Sequence, residues 1–219
     1  MKYRQVIPEI LDSLPAADPR ARRARNDLAL INAIMGNYAW LASRVVALRV
    51  GEGHQWVEIG AGDGPLVAAL PPEKQRGLQF TGLDFAPRPG HWPAAWDWRE
   101  GDLFENFAES FDSANPVGLL ANLFLHHFEP PQLATLGSLI NSRVNHILCV
   151  EPARYRLFRL LGYGLFPLVN AVTRHDLQVS IGAGFRRGEL AGALGLDASW
   201  QFRETVTLLG AYRFEAWKA

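Results

Sequence analysis

The chain has 219 residues, of which 48% are hydrophobic and 20% are charged, a composition typical of one globular domain with a substantial core. Its 22 basic residues balance 22 acidic ones, so no net field draws the protein to nucleic acid or to an anionic membrane. Cys149 is the one cysteine, which excludes an internal disulfide, and the opening stretch MKYRQVIPEILDSLP lacks the apolar run of a secretory signal, so we expect a cytoplasmic protein.

Two helices are predicted in the first 50 residues. Asp18 supplies an N-cap acceptor and Pro19 suits the first helical turn, and an apolar face then continues as far as Gly36. A second helix is predicted from Tyr38 to about Leu48. We expect residues 1–52 to form a helical extension or lid, and residues 53–219 to form the core of the protein.

Beyond residue 53, short apolar runs alternate with helical patterns. The predicted strands are Gln55–Ile59, Gln79–Phe85, Val117–Phe124, His146–Val150, Trp200–Leu208 and Gly210–Trp217. The predicted helices between them are Pro65–Leu70, Pro131–Ile140 and Arg187–Leu194. Strands separated by helices favour a parallel sheet, whereas the last two runs are so close that they predict an antiparallel hairpin. The fold class is therefore α/β.

The segment 154–172 is apolar but carries Arg156, Arg159, Gly162 and Pro167. It is too short and too interrupted to span a bilayer. Three alternatives are open: a helix packed on the sheet, a lid over an oily substrate, or a face that makes transient contact with a membrane.

The stretch EIGAGDG at residues 58–64 follows the first predicted strand with alternate glycines. Glycine reaches positive φ and lets the backbone approach a ligand closely, and the first N–H groups of the next helix can bind an acceptor. A dinucleotide site would place its third glycine where this chain has Pro65. Because the carboxylate of Glu58 suits an ammonium group and disfavours a pyrophosphate, the stretch predicts a nucleoside that carries an amino acid.

Further motifs give this region a family resemblance. VEIGAGDG resembles the first motif of class I S-adenosylmethionine-dependent methyltransferases, FTGLDF the second, WREGDLFE the third and LLANLFLHHF the fourth, and HILCVEPAR resembles the strand that follows. The resemblance covers roughly residues 53–219. It implies a Rossmann-like, mostly parallel seven-stranded sheet with an antiparallel C-terminal hairpin strand, with helices on both faces. It also implies S-adenosyl-L-methionine as the cofactor, and we expect no metal ion.

The resemblance also implies roles for residues along the carboxyl ends of the strands. Glu58 and Gly60 would hold the methionine end of the donor, Asp84 the ribose hydroxyls and Asp102 the adenine. Two alternatives stay open, since Asp84 could cap the following turn and Asp102 could begin a helix. The predicted cofactor-binding residues are Glu58, Gly60, Ala61, Gly62, Gly64, Asp84, Phe85, Asp102, Leu103, Asn122 and Leu123.

The chain departs from the family pattern after the second strand. There it reads APRPGHWPAAWDW, with three prolines and a glycine, so the helix usual at this point is predicted to be short or missing. Phe85 or Trp92 of this loop would then line the adenine pocket. For Trp92, a place in the core is the alternative.

Two pairs of polar residues are candidates for catalysis. His126 and His127 follow the fourth strand, and His175 and Asp176 lie in a segment that closes over the acceptor in related enzymes. Histidine has the pKa of a general base for a phenol or carboxyl group. Structural hydrogen bonds are the alternative for the first pair, and a helix cap is the alternative for Asp176.

The predicted acceptor is a small lipophilic molecule, aromatic or polyketide-like, that is methylated at oxygen or carbon. Aromatic residues of the extension and of segment 154–172 would form its chamber, namely Tyr38, Trp40, Phe158, Tyr163 and Phe166. A nucleic-acid methyltransferase is disfavoured because the chain is neutral, although arginines cluster at 20–25, and because it lacks N/D-P-P-Y/F after the fourth strand. A catalytically silent binding protein with the same fold is another alternative. No nucleic-acid partner is expected, and the protein is either a monomer or a homodimer.

Overall fold

The structure is a computed structural model that describes residues 1–15, 17–48, 55–107, 110 and 117–218. The predicted domain boundary at residues 52 and 53 lies outside these ranges. The strands are β1 (Gln55–Ile59), β2 (Gln79–Asp84), β3 (Asp97–Glu100), β4 (Val117–Asn122), β5 (His146–Pro152), β6 (Trp200–Val206) and β7 (Ala211–Lys218).

The helices surround this sheet and include several short ones. They are α1 (Ile10–Ser13), α2 (Pro19–Met35), α3 (Asn37–Ala47), α4 (Pro65–Ala69), α5 (Pro72–Gln75), α6 (Leu103–Asn106), α7 (Pro130–Arg143), α8 (Arg156–Tyr163), α9 (Ala171–Ala183) and α10 (Leu190–Ala193). A short 3-10 helix at Leu125–His127 follows β4.

The seven strands form one sheet in the order β3-β2-β1-β4-β5-β7-β6. The first five strands in chain order run parallel to one another, and β7 runs antiparallel to both β5 and β6. The predicted mostly parallel sheet with a C-terminal hairpin is confirmed. The last strand of the chain lies inside the sheet, between β5 and β6, and β6 forms the edge.

The two faces of the sheet bury separate hydrophobic clusters, as expected when side chains alternate along a strand. In β4, Leu119 packs with α7 and α10, whereas Leu120 packs with α3 and α4. Both residues are fully buried. Helices therefore cover both faces, and the carboxyl ends of β1, β2 and β4 meet at one edge of the sheet.

The loop between β2 and β3 has no helix, as its prolines predict. Trp92 packs edge-on against Trp98, with ring centroids 5.0 Å apart, and its indole N–H donates to the Asp97 carbonyl oxygen. Trp92 is 4% exposed, so it has the place in the core that was the alternative. Strand β3 was not among the predicted strands because three of its four residues are exposed at the sheet edge and carry no apolar alternation.

The apolar segment 154–172 does not bury its leucines on the sheet. Its helical part is α8, in which Leu157, Leu160 and Leu161 are exposed, Leu160 by 66%. Within the described ranges, no helix is long and apolar enough to cross a membrane.

The first 13 residues form an N-terminal strap that crosses α9 and the 3-10 helix. Arg4 donates to the carbonyl oxygens of Ala183, His126 and Phe128, and its guanidinium lies 4.3 Å from the centroid of the Phe185 ring. The Gln5 N–H donates to the Gly182 carbonyl oxygen. These contacts fix the strap, and with it α1, over the carboxyl edge of the sheet.

Candidate active site at the carboxyl edge of the sheet

The glycine loop turns the chain sharply from β1 into α4. Gly60, Gly62 and Gly64 have φ values of 65°, 55° and 68°, which side chains other than glycine rarely adopt. A Cβ at Gly60 would also lie 2.2 Å from the Phe124 ring, whereas one at Gly62 would meet nothing within 4 Å. The loop thus packs against Phe124 on one side and leaves open space at Gly62 on the other.

Asp84 fastens this loop to the end of β2. One carboxylate oxygen accepts from the Gly62 N–H and the other from the Ala86 N–H, each at 2.8 Å. The alternative role as a turn cap is therefore present, and the same carboxylate also holds the glycine loop. The Asp84 carbonyl oxygen accepts from Gly101 N–H, which brings Asp102 alongside.

Asp102 forms the cap that the alternative interpretation describes. Its Oδ1 accepts from the Phe104 N–H at 2.7 Å, at the start of α6. Leu103 is buried, and Phe85 is 72% exposed. The adenine contacts expected of these three residues remain predictions.

Glu58 lies behind the glycine loop and is buried. Burial raises its pKa to about 8, with a further contribution from the negative charge of Asp84. Its Oε2 atom is buried and has no hydrogen-bond partner in the described parts of the chain. Burial and the charge of Glu58 also raise the pKa of Tyr38, which lines the adjacent cavity. A buried carboxylate with a free acceptor oxygen is suited to an ammonium group.

The end of β4 is tied to the helical extension by asparagines. Asn32 Oδ1 accepts from Asn122 Nδ2 at 3.0 Å and from Asn37 Nδ2 at 2.9 Å. Leu123 follows with φ 53°, the one positive φ outside glycine among the described residues. This strained turn directs the next N–H groups of the chain toward β5.

Glu151, at the end of β5, receives those N–H groups with a fully buried carboxylate. Its Oε1 accepts from the N–H groups of Phe124 at 3.0 Å and Leu125 at 2.7 Å, and its Oε2 lies 2.7 Å from Nδ1 of His126. On the other side of the ring, Nε2 of His126 is 3.3 Å from Oε1 of Glu9 in the strap. Burial alone would lower the pKa of His126, but the hydrogen bonds with the two carboxylates outweigh it and raise the pKa to about 9.

His127 stands beside this pair and is less buried. Its Nδ1 lies 3.5 Å from Oδ2 of Asp12, a strap residue, and its ring centroid is 4.3 Å from that of His126. Burial and the positive charge of His126 lower the pKa of His127. The two histidines therefore differ in environment although they are adjacent in sequence.

A cavity of about 620 Å³ joins the glycine loop to the two histidines. Its wall includes apolar side chains from α2, from the α8 region and from α9, namely Ile31, Ile34, Met35, Phe158, Leu161, Leu165, Leu177 and Ile181. Its polar lining includes Asn32, Tyr38, Asn122 and Ser180. One continuous space, partly open to solvent, thus has the glycine loop at one end and imidazole groups at the other.

No protein-family model and no curated protein matches the sequence. Solved structures match in fold. The plantazolicin methyltransferase BamL, in complex with a triazolic desmethylPZN analog and SAH, is 13% identical with a TM-score of 0.70, over 95% of this chain and 92% of that one. An O-methyltransferase family protein from Burkholderia thailandensis is 16% identical with a TM-score of 0.62, over 93% of this chain and 61% of that one.

Human N-acetylserotonin methyltransferase, in complex with SAM, is 17% identical with a TM-score of 0.59, over 95% of this chain and 61% of that one. The chain has the class I methyltransferase fold. This confirms the fold that the motifs predict.

Within this methyltransferase fold, the predicted site residues divide into three groups. Those in the cavity wall are Gly60, Ala61, Gly62, Asn122, Leu123, His126, His127 and Asp176. Those along the same sheet edge but outside that wall are Glu58, Gly64, Asp84, Phe85, Asp102 and Leu103. His175 alone points elsewhere: it is 45% exposed and lies in a shallow groove on another side of α9.

His175 and Asp176 are in contact, with Nδ1 of His175 2.9 Å from Oδ1 of Asp176, but the pair does not face the cavity together. Successive residues of a helix point in different directions, so only Asp176 reaches the cavity. Its two oxygens accept from the N–H groups of Ile10 and Leu11 at 2.8 and 3.0 Å. Asp176 therefore caps a helix, as the alternative interpretation expects, but the helix is α1 of the strap and not one that begins at Asp176.

Glu9 and Asp12 are site residues that sequence reasoning missed. They lie in the strap, before the first predicted helix, and no motif surrounds them. Glu9 contacts a residue 117 positions later in the chain. No local pattern could have indicated this contact.

Proposed function

We propose that the protein is an S-adenosylmethionine-dependent methyltransferase that methylates a small lipophilic acceptor at oxygen or carbon. The observation that carries the proposal is the continuous cavity from the glycine loop to His126 and His127. Its volume falls within the range of about 300–1,000 Å³ that small-molecule sites occupy.

We call the part of the site around the glycine loop, with Glu58, Asp84 and Asp102, the donor end, and the part around His126 and His127 the acceptor end. The residues of the donor end fit the proposed cofactor. Glu58 offers a buried oxygen without a partner in the described chain, which suits the methionine ammonium group. The open space at Gly62 admits a ligand close to the backbone. Asp84 accepts from two N–H groups at the loop, and we propose that it also accepts from the ribose hydroxyls. S-Adenosylmethionine supplies, when bound, a methyl group on a positively charged sulfur.

The remaining task of the protein is alignment and exclusion of water. The apolar wall from α2, α8 and α9 excludes water, and we propose that the strap and residues 17–48 form the roof of the acceptor site. The strap contributes Glu9, Leu11 and Asp12 to the cavity wall. An acceptor that fills this space would present its reactive atom between the glycine loop and the histidines.

The surface around the cavity supports a lipophilic acceptor. Phe158, Leu161 and Leu209 line the cavity, and Leu161 and Leu209 are also exposed, so apolar surface continues from inside to outside. Neighbours in fold are in complex with azolic analogs or are named for small molecules, which agrees with an acceptor of that size. The histidines at the far end suit an acceptor with an ionisable oxygen, and we propose that they activate it.

The test is formation of S-adenosylhomocysteine during incubation with S-adenosylmethionine and a panel of phenols and aromatic carboxylic acids. Loss of an activating side chain typically costs about 10²–10⁴-fold in rate, so His127→Ala should lower kcat by about 100-fold or more while leaving S-adenosylhomocysteine affinity unchanged. His175→Ala is the matched control. Absence of S-adenosylhomocysteine binding by the unmodified protein at millimolar ligand would overturn the proposal, and normal turnover by His127→Ala would remove the histidine from it.

A further inference from the structure

Three side chains converge at the acceptor end of the cavity. Glu9 comes from the strap, and His126 and His127 come from the 3-10 helix. Each offers one donor atom, and these atoms all lie within 4.8 Å of one another. We infer that Glu9, His126 and His127 bind a divalent transition-metal ion. This inference differs from the expectation of a site without a metal ion, which the structure does not test.

The spacing of His126 and Glu9 is that of two ligands on one ion. A tetrahedral ion with bonds of about 2.0–2.1 Å holds its ligands about 3.3 Å apart. The distance from His126 Nε2 to Glu9 Oε1 is 3.3 Å. Without an ion this contact is a hydrogen bond, longer than the 2.7 Å contact of the same ring with Glu151, and an ion that binds here would displace the proton on Nε2.

Glu151 orients the His126 ring for this role. Imidazoles that bind metal ions almost always donate their other ring N–H to a carboxylate, a carbonyl or water. Nδ1 of His126 faces Oε2 of Glu151, which leaves Nε2 directed toward Glu9. Glu151 is itself fixed by the N–H groups of Phe124 and Leu125. This support is independent of the three converging ligands.

The remaining groups complete the surroundings of the ion. Ser180 Oγ donates to Oε1 of Glu9 and holds that carboxylate in place. Oδ2 of Asp12 lies 3.5 Å from Nδ1 of His127, so the inference assigns it the role of an outer carboxylate beside this second imidazole. Two imidazoles and one carboxylate suit Zn²⁺, Fe²⁺ or Co²⁺, whereas Mg²⁺ prefers oxygen ligands and several waters.

The ion would have a function in the proposed reaction. All three ligands line the cavity, so an acceptor in the cavity could reach an ion held there. The ion would lower the pKa of a phenol bound to it through oxygen, the proton would pass to solvent, and the phenolate would attack the methyl group. This role rests on the proposed function, whereas metal binding itself does not.

The test uses untagged full-length protein that has been stripped of metal with a chelator. Calorimetry should show one Zn²⁺ per chain with a dissociation constant in the micromolar range or below, and much weaker binding of Mg²⁺. Co²⁺ should give the visible absorption of a four-coordinate ion. Glu9→Gln and His127→Ala should each weaken Zn²⁺ binding by about 100-fold, and Asp12→Asn, which removes an outer carboxylate, by about tenfold. His175→Ala should match the unmodified protein.

Two results would overturn the inference. One is a Co²⁺ spectrum of the unmodified protein that shows only the hydrated ion, an outcome that depends on no variant. The other is Zn²⁺ binding that persists unchanged when Glu9→Gln and His127→Ala are combined. Either result would leave the cluster as an ion-paired structural network. Titration of the same samples with S-adenosylhomocysteine separates the two proposals, since donor binding without metal binding contradicts only the inference.

Discussion

The two ends of the cavity are built in different ways. At the donor end, the glycine loop, Asp84 and Asp102 are held by hydrogen bonds between neighbouring loops of the sheet, and backbone N–H groups make many of these bonds. At the acceptor end, Glu9 and Asp12 of the strap meet His126 and His127 after β4, more than 100 positions away in the chain, and His126 also contacts Glu151 of β5. The first arrangement leaves a recognisable local pattern in the sequence, and the second does not.

The largest expected effect comes from Glu151→Ala, which would dismantle the acceptor end. The change leaves buried N–H groups and the imidazole of His126 without their carboxylate, and breaking a buried pair of this kind costs about 3–5 kcal/mol. Urea denaturation without ligand would measure the loss in the free energy of unfolding. Glu105 is an exposed acid on α6, and Glu105→Ala should change the free energy of unfolding by less than about 0.5 kcal/mol. A loss below about 1 kcal/mol for Glu151→Ala would contradict the structural dependence described here.

Asp84→Ala tests the donor end. Because Asp84 orients Gly62 and is proposed to accept from ribose, the variant should bind S-adenosylhomocysteine about 30-fold more weakly, which is about 2 kcal/mol of binding free energy. Calorimetry on folded protein measures this directly. Asp97 is an exposed acid on the neighbouring strand, and Asp97→Ala should bind S-adenosylhomocysteine with the affinity of the unmodified protein. Equal affinities for both variants would remove Asp84 from the donor site.

Glu58 should make donor binding depend on pH. Its pKa in the folded protein is about 8, raised by burial and by Asp84 from an ordinary value of 4.5, so the folded protein carries an extra proton between these values. The stability associated with that proton is fully present below pH 4.5 and is lost as the pH rises through 8. An ammonium group favours the carboxylate, so binding releases the proton. Affinity should therefore rise from pH 6 to 8 by up to about tenfold per pH unit.

Calorimetry in buffers of different ionisation enthalpy would count the protons released on binding. Close to one proton per ligand is expected at pH 7, and none for Glu58→Gln. Proton release that persists in Glu58→Gln would assign the effect to another group.

The smallest effect is expected for His175→Ala. Since His175 is on a different side of α9 from the cavity, kcat and donor affinity should stay within about twofold of the unmodified protein. A large fall in kcat would show that the acceptor end extends beyond the cavity described here. Steady-state kinetics with the best acceptor of the panel would decide the matter.

Much of the fold could be predicted from the sequence. The alternation of strands and helices, the C-terminal hairpin and the absence of a helix after β2 all follow from apolar runs, glycines and prolines whose effects are local. The placement of β7 between β5 and β6 did not follow, because hairpin formation does not determine which of its strands joins the sheet. The sequence also did not predict that α8 is exposed, because the sequence pattern of an apolar helix is the same whether the helix packs on a sheet or lines a cavity.

The amino-acid sequence by itself determined the glycine loop and the acids around it, because glycines with positive φ and acids at strand ends act through the backbone next to them. Only the tertiary structure decided the acceptor end. There it separated His175 from the cavity, directed Asp176 to the strap, and placed Glu9 and Asp12 beside His126 and His127. Contacts between residues so far apart depend on how helices and loops pack over the sheet, and that packing has no short-range signature in the chain.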